Sequence, residues 1–300
     1  GGHPCTGHVM SDDVEGDAGD AEGHTADRRH LVGEYFRLER WEIPPPPGVD
    51  APSELGGRVP VDAHQRGSGG GLRAGGLLTC IDSVGGFLCG LAVLPEWIVT
   101  TSMMATISQL DHRGPLRLQG RVLRRGRNSV VARLDVVDEG RDGLPVAAAM
   151  ITCAVLDPGG MVREFERPYR TPMAPLHPGA PAPEEFFCIE PGVGPVTRLE
   201  PAGHLRNPWG ILHGGAVAML ADVAACRAAQ AGPGRAKATG SVAAADTVLH
   251  YLRPVRVGPV EARCQVVGHR AGRAVVRLAI HDVGAGDRLV TLGSVAVLDV

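Results

Sequence analysis

The sequence predicts an α+β protein made of two like domains in tandem, and three observations carry that prediction. The first is an internal repeat: Leu72-Arg73-Ala74-Gly75 through Asp82 aligns on Leu212-His213-Gly214-Gly215 through Asp222 at an offset of 140 residues, and Thr100 through Val122 aligns on Ala244 through Val266 at an offset of 144. Four extra residues in the Gly232-Pro233-Gly234-Arg235 loop account for the difference. Self-similarity of this length means two copies of one structural unit. The second observation is that each copy opens on a proline-free apolar stretch rich in small residues, 74–91 and 214–231, which reads as a helix buried all round. The third is a set of alternating segments after each helix, at 97–110, 115–125, 128–138 and 144–156, then at 241–252, 257–268, 273–283 and 288–298. Gly-Pro, Arg-Gly-Arg-Asn and Asp-Val-Gly-Ala-Gly steps between several of them predict hairpin turns.

Taken in order, residues 1 to about 30 are rich in Gly, Asp, Glu and His and almost free of large apolar side chains, so they are expected to be disordered. Leu31 to Trp41 is expected to form a short helix, ended by the semi-rigid Pro44-Pro45-Pro46-Pro47 run. The expected organisation is a tail and linker over 1–55, a first domain over 56–160, a linker over 161–184 that includes the Pro172 to Pro183 segment, and a second domain over 185–300. With 300 residues and 44% hydrophobic content there is enough apolar material for two cores.

Composition excludes several classes. A net charge of −3 and the lack of a basic run interleaved with aromatics argue against nucleic acid as a partner. Seven scattered cysteines fit neither a disulfide framework nor paired zinc ligands, and a reducing cytoplasm is the expected location. No uncharged apolar run of membrane-spanning length and no basic-then-apolar N-terminus occurs, so no membrane association is expected. The first residue is not Met, consistent with a missing upstream piece. His3, Cys5, His8 and His24 match no zinc spacing, so neither metal nor cofactor is expected.

The chemistry lies in Asn207-Pro208-Trp209-Gly210-Ile211-Leu212-His213-Gly214-Gly215, joined to an apolar helix that carries Asp222. Glycines at a helix mouth leave backbone N–H groups uncovered, and the helix dipole there favours developing negative charge. That is how an oxyanion hole is built. The block resembles the hotdog-fold acyl-CoA thioesterases of the phenylacetate-pathway (PaaI) type, whose motif is an Asn, then His-Gly-Gly, then an Asp in the long central helix. The resemblance implies a helix wrapped by an antiparallel sheet in each copy, a double hotdog. It also implies hydrolysis of a small-molecule acyl-CoA or acyl-carrier-protein thioester, and homo-oligomers beyond the basic unit.

Gly215 and Asp222 are seven residues apart, roughly 10 Å along one helix, too far to act on a single carbonyl. Two antiparallel helices solve this, because each glycine mouth then lies beside the other helix's carboxylate. One resulting set joins Asn207, His213, Gly214 and Gly215 to Asp82 and Thr100; the other joins Arg73, Ala74 and Gly75 to Asp222 and Ala244. Only the first set is complete by the PaaI-type pattern, since Gly67 stands where Asn207 does, Arg73 where His213 does and Ala244 where Thr100 does. The expected roles are Asp82 as general base or nucleophile, Thr100 orienting water or the carboxylate, and Gly214 with Gly215 stabilising the oxyanion. Asn207 would position the thioester and His213 would polarise its carbonyl. Arg73 and Asp222 are weaker candidates for substrate binding, with an Arg73–Asp222 ion pair as the structural alternative. Competing functions are a hotdog dehydratase or hydratase and a non-catalytic acyl-thioester binder.

Overall fold

Both apolar stretches fold as helices over the expected residues, and each is followed by four long strands. In chain order the elements are α1 (Leu31–Tyr35), β1 (Glu39–Ile43), β2 (Glu54–Val59), α2 (Ala74–Leu91), β3 (Trp97–Ile107), β4 (Leu116–Arg125), β5 (Ser129–Asp138), β6 (Leu144–Leu156), β7 (Arg170–Thr171), α3 (Pro183–Phe186), β8 (Ile189–Pro191), β9 (Val196–Leu199), α4 (Gly214–Ala231), β10 (Val242–Tyr251), β11 (Val260–Arg270), β12 (Arg273–Asp282) and β13 (Arg288–Asp299). The computed structural model describes residues 31–157, 166–193, 196–207, 209–232 and 240–300. The acidic segment 1–30 and most of the Gly232–Arg235 loop lie outside the described residues.

The strands form one 13-stranded sheet in the order β7-β1-β2-β4-β5-β6-β3-β10-β13-β12-β11-β9-β8. Outward from the central β3–β10 pair, the two sides match: β6 with β13, β5 with β12, β4 with β11 and β2 with β9. The likeness of the two sides follows the sequence repeat. It extends to detail: Asp138, ending β5, accepts from the N–H groups of Arg113 and Gly114, both at 2.8 Å, while Asp282, ending β12, accepts from Arg256, Val257 and Gly258 at 3.1, 3.2 and 2.7 Å.

Period-2 patterning explains why one face of the sheet meets the helices. In β5 the residues Val130, Ala132, Leu134 and Val136 are buried, and in β12 Ala274, Val276, Leu278 and Ile280 are buried, with more exposed residues between them. Leu77, Leu78, Ile81, Val84 and Leu88 of α2, with Ala218, Met219, Leu220, Ala221 and Ala225 of α4, fill the space under the sheet. The helix Ala74–Leu91 has the length and hydropathy of a membrane span, but it is a core helix whose residues are largely buried.

Two helix-mouth glycines let α2 and α4 touch closely. A Cβ on Gly75 would come within 2.8 Å of the Met219 Cα, and one on Gly215 within 2.8 Å of the Thr79 Cα. Thr79 sits at this crossing and donates its hydroxyl to the carbonyls of Gly75 (2.7 Å) and Gly215 (2.9 Å).

Two expectations are corrected. The helix expected over 31–41 stops at Tyr35; Arg37 turns the chain with a φ of 53°, and Glu39–Ile43 becomes a strand paired with β2. Residues 31–55 are therefore not all tail and linker, since Val32, Phe36 and Leu38 are buried in the core. Part of the expected 161–184 linker is also packed. Arg170–Thr171 adds to β1, Arg167 pairs with Glu42, and Tyr35 stacks on Phe186 at 4.0 Å while donating its hydroxyl to the Pro181 carbonyl at 2.9 Å. The aromatic stack ties the N-terminal segment to the entrance of the second copy.

Candidate active site

A mid-helix aspartate on an apolar face needs a partner, because desolvating a carboxylate is costly. Here each finds one at the mouth of the opposite helix. Gly215 N donates to Asp82 Oδ2 at 3.0 Å, and Gly75 N donates to Asp222 Oδ2 at 3.0 Å. Each carboxylate thus satisfies an orphan N–H of the antiparallel helix and meets its positive dipole end, a reciprocal capping between helices. The remaining partners of the two aspartates differ.

Around Asp82 the structure brings together Thr100, His213, Gly214 and Gly215. Thr100 donates its hydroxyl to Asp82 Oδ1 at 3.0 Å, and His213 Nδ1 lies 3.3 Å from Asp82 Oδ2. His213 is the residue preceding α4, and its Nδ1 also accepts from Gly215 N at 3.0 Å, an assignment that leaves the ring proton on Nε2. Burial holds the His213 imidazole below its ordinary value; the Asp82 charge opposes this and the Arg40 guanidinium adds to it. Gly215 N is therefore committed to Asp82 and His213. The neighbouring Gly214 N–H has no acceptor among the described residues and is half-exposed, which leaves it open to an incoming acceptor.

No hydrogen bond joins Asn207 to this group among the described residues. Its Oδ1 accepts from the N–H of Trp209 (3.0 Å) and of Ile211 (3.3 Å), so the side chain braces the loop that leads into α4. Tyr251, absent from the sequence expectation, does take part. Its hydroxyl donates to the Gly214 carbonyl at 3.1 Å, and burial followed by the Asp82 charge pushes its phenol well above the ordinary value, which keeps it a donor. No sequence signal points to it, because Ile107 holds the matching place in the first copy.

Around Asp222 the residues are bound up with one another. Arg73 Nε donates to Asp222 Oδ2 at 2.6 Å, Arg73 also pairs with Glu184, and Cys226 Sγ donates to Asp222 Oδ1 at 3.4 Å. Burial works against the Arg73 charge, but Asp222 and Glu184 outweigh it and raise the guanidinium pKa. The ion-pair alternative for Arg73 and Asp222 is what the structure contains. A cavity of about 40 Å³ remains there, against Arg73, Asp222, Cys226 and Ala244. A larger cavity of about 590 Å³, lined by Trp41, Arg58, Arg117 and Tyr169 among others, shares no residue with the Asp82 group, and its Arg58 is paired with Glu139. Among the described residues no His, Cys, Asp or Glu cluster is arranged to hold a metal ion, and no cysteine forms a disulfide.

The buried imidazoles give stability a defined pH dependence. His213 and His112, each lowered chiefly by burial, bind fewer protons folded than unfolded, so unfolding free energy is expected to fall as pH drops below the ordinary histidine value near 6.5. The expected result is a flat profile from that pH to about pH 8, where the ordinary thiols begin to ionise, with His213→Gln shallower below the histidine range in denaturant titrations. A profile that rises on acidification would contradict the assignment.

Comparison with known proteins agrees with this architecture. The family model of the Thioesterase superfamily matches residues 210–287, which begin in the loop before His213 and run through most of the second copy. No curated protein sequence matches. Among solved structures, an acyl-CoA thioesterase II TesB2 from Mycobacterium marinum is similar at 15% identity and a TM-score of 0.57, over 90% of this chain and 96% of that one. An acyl-ACP thioesterase from Bacteroides thetaiotaomicron is similar at 13% identity and a TM-score of 0.53, over 81% of this chain and 97% of that one. A tesB protein from Mycobacterium avium subspecies paratuberculosis gives 12% identity and a TM-score of 0.54 over 82% and 92%. At these identities the likeness defines the fold, the hotdog fold of these thioesterases.

Proposed function

We propose that the chain is a PaaI-type acyl-CoA or acyl-carrier-protein thioesterase with one composite active site, to which the first repeat gives Asp82 and Thr100 and the second gives His213 and Gly214. The observation that carries this reading is the approach of Asp82 to the α4 mouth, 3.0 Å from Gly215 N and beside the unused Gly214 N–H. The thioester carbonyl oxygen accepts from Gly214 N–H, where the helix dipole stabilises the charge that develops on it, a contribution on the order of 3 kcal/mol per donor. Asp82, held at Oδ1 by Thr100 and at Oδ2 by Gly215, takes the proton of a water that attacks the carbonyl carbon; a carboxylate clamped at both oxygens favours this base role over direct attack. His213 Nε2–H is a second donor toward the carbonyl, and Tyr251 and Asn207 hold the turn. Collapse of the tetrahedral intermediate expels the thiolate, a good leaving group that needs no strong general acid.

Free-thiol release from a panel of acyl-CoAs tests the reading. Thiol release proportional to enzyme supports it. Hydration or dehydration of an enoyl or 3-hydroxyacyl thioester without thiol release, or binding without turnover, would replace it.

A further inference from the structure

Because α2 and α4 are antiparallel, the chain that leads into α4 continues past Asp82 alongside the C-terminal half of α2. The facing strip of the first repeat stays half-exposed: Ser83, Gly86, Phe87 and Gly90 on α2, and Ile98 with Thr100 on β3. There is room in it. A Cβ on Gly86 would meet only Ile98 Cδ1 at 3.9 Å, and one on Gly90 only Ile98 Cγ1 at 3.8 Å. In the second repeat the matching place is filled, because Cys226 stands for Gly86 and bonds Asp222, while Arg227 stands for Phe87 and donates to Thr197 Oγ1 at 2.8 Å.

A second observation marks the same place from the other side. Trp209, in the loop braced by Asn207, meets Trp97 at the start of β3 with ring centroids 4.5 Å apart and planes at 68°. One ring comes from each repeat, and the positions that correspond to them at the other site hold Gly69 and Ser241. The aromatic bridge therefore belongs to the Asp82 side alone. Trp209 Nε1 is buried with no hydrogen-bond partner among the described residues, so this wall also carries an unused donor.

We propose that this strip is the acyl-chain groove of the site and that Trp97 and Trp209, with Gly86 and Gly90, are its specificity-determining residues, selecting apolar acyl groups of medium length. This inference rests on the thioesterase reading. From Asp82 to Gly90 the helix rises about 12 Å, which sets the length of chain that can be covered. The walls are Ile98, Phe87 and the indole faces, so each methylene that enters leaves water.

The test measures kcat/KM for acetyl-, octanoyl- and palmitoyl-CoA in the wild type, Gly86→Val and Trp209→Ala. Gly86→Val is expected to lower the octanoyl-to-acetyl ratio at least tenfold, and Trp209→Ala to raise the palmitoyl-to-octanoyl ratio at least fivefold. A merely structural role would depress all three substrates together, and unchanged ratios would overturn the proposal. Gly86→Ala guards against misfolding: it removes a helix glycine, so it should raise thermal stability while still lowering the octanoyl-to-acetyl ratio. Calorimetric titration with the non-hydrolysable thioethers S-octyl-CoA and S-ethyl-CoA separates the groove from the chemistry. If no thioester is hydrolysed, the thioesterase reading fails alone, and tighter octyl binding that Gly86→Val abolishes still supports the groove. Equal affinities for the two thioethers would overturn it.

Discussion

Asp82→Asn is expected to lower kcat by a factor on the order of 10² or more while leaving the fold intact. The substitution is selective. An asparagine with its oxygen in the Oδ2 place still accepts from Gly215 N, and its NH2 in the Oδ1 place donates to the Thr100 hydroxyl, so the cap on α4 survives while the proton acceptor is lost. Asp222→Asn makes the opposite change, since Asp222 is bound by Arg73, Gly75 N and Cys226 and faces no His or hydroxyl of the matching kind. It should alter stability and leave kcat within a few-fold. The check is steady-state thiol release beside a denaturation curve for each variant. Equal losses of kcat from the two would mean that the two aspartates share the chemistry and that the repeats are not functionally divided.

The second large effect is on stability. Arg73→Met removes the cation from a carboxylate that is 2% exposed and leaves Asp222 with only a backbone N–H and a thiol. Breaking a buried pair costs about 3–5 kcal/mol, and the 18% exposure of the Arg73 side chain argues for the lower end, about 3 kcal/mol. Adding Asp222→Leu should restore most of the loss, because an apolar pair no longer strands a buried charge. Chemical denaturation of the single and double variants measures this. A double variant less stable than Arg73→Met would show that the carboxylate stabilises the fold by itself, through its cap on Gly75.

How far the sequence reveals the molecule depends on which physical signal each element carries. Ala74–Leu91 and Gly214–Ala231 lack proline, and an apolar, small-residue composition with few charges runs through both, so both helices appear with the expected ends. The eight long strands follow from alternation. β1 does not, because Glu39-Arg40-Trp41-Glu42-Ile43 turns its charged residues inward: Arg40 lies over the rings of Phe87 and Tyr169, and Glu42 pairs with Arg167. A strand whose buried side chains are ionic has no apolar period to read. β2 hides behind Gly56 and Gly57 for a related reason, as the Trp41 ring occupies the space a Cβ on Gly56 would need.

The site is legible where the repeat supplies logic and illegible where it does not. Asp82 and Gly215 lie 133 residues apart, yet superposing the copies and requiring antiparallel helices brings them together. Asn207 is illegible because its partners, Trp209 and Ile211, are local backbone groups, and a side chain that braces its own loop looks the same in sequence as one that holds a substrate. The division of labour between Gly214 and Gly215 needs coordinates, since only the geometry shows which N–H is already taken by a carboxylate.

The central claim is that residues from the two repeats act on one substrate at one site, and a double-mutant cycle between Asp82 and His213 tests it most directly. Asp82→Asn, His213→Ala and the double variant are compared by kcat/KM for one acyl-CoA that the wild type hydrolyses. The account predicts strong non-additivity, with the double variant hardly slower than Asp82→Asn alone, because groups that act as a unit are lost together. Multiplying single effects, each variant reducing the rate by its own factor regardless of the other, would place Asp82 and His213 in separate machinery and contradict it.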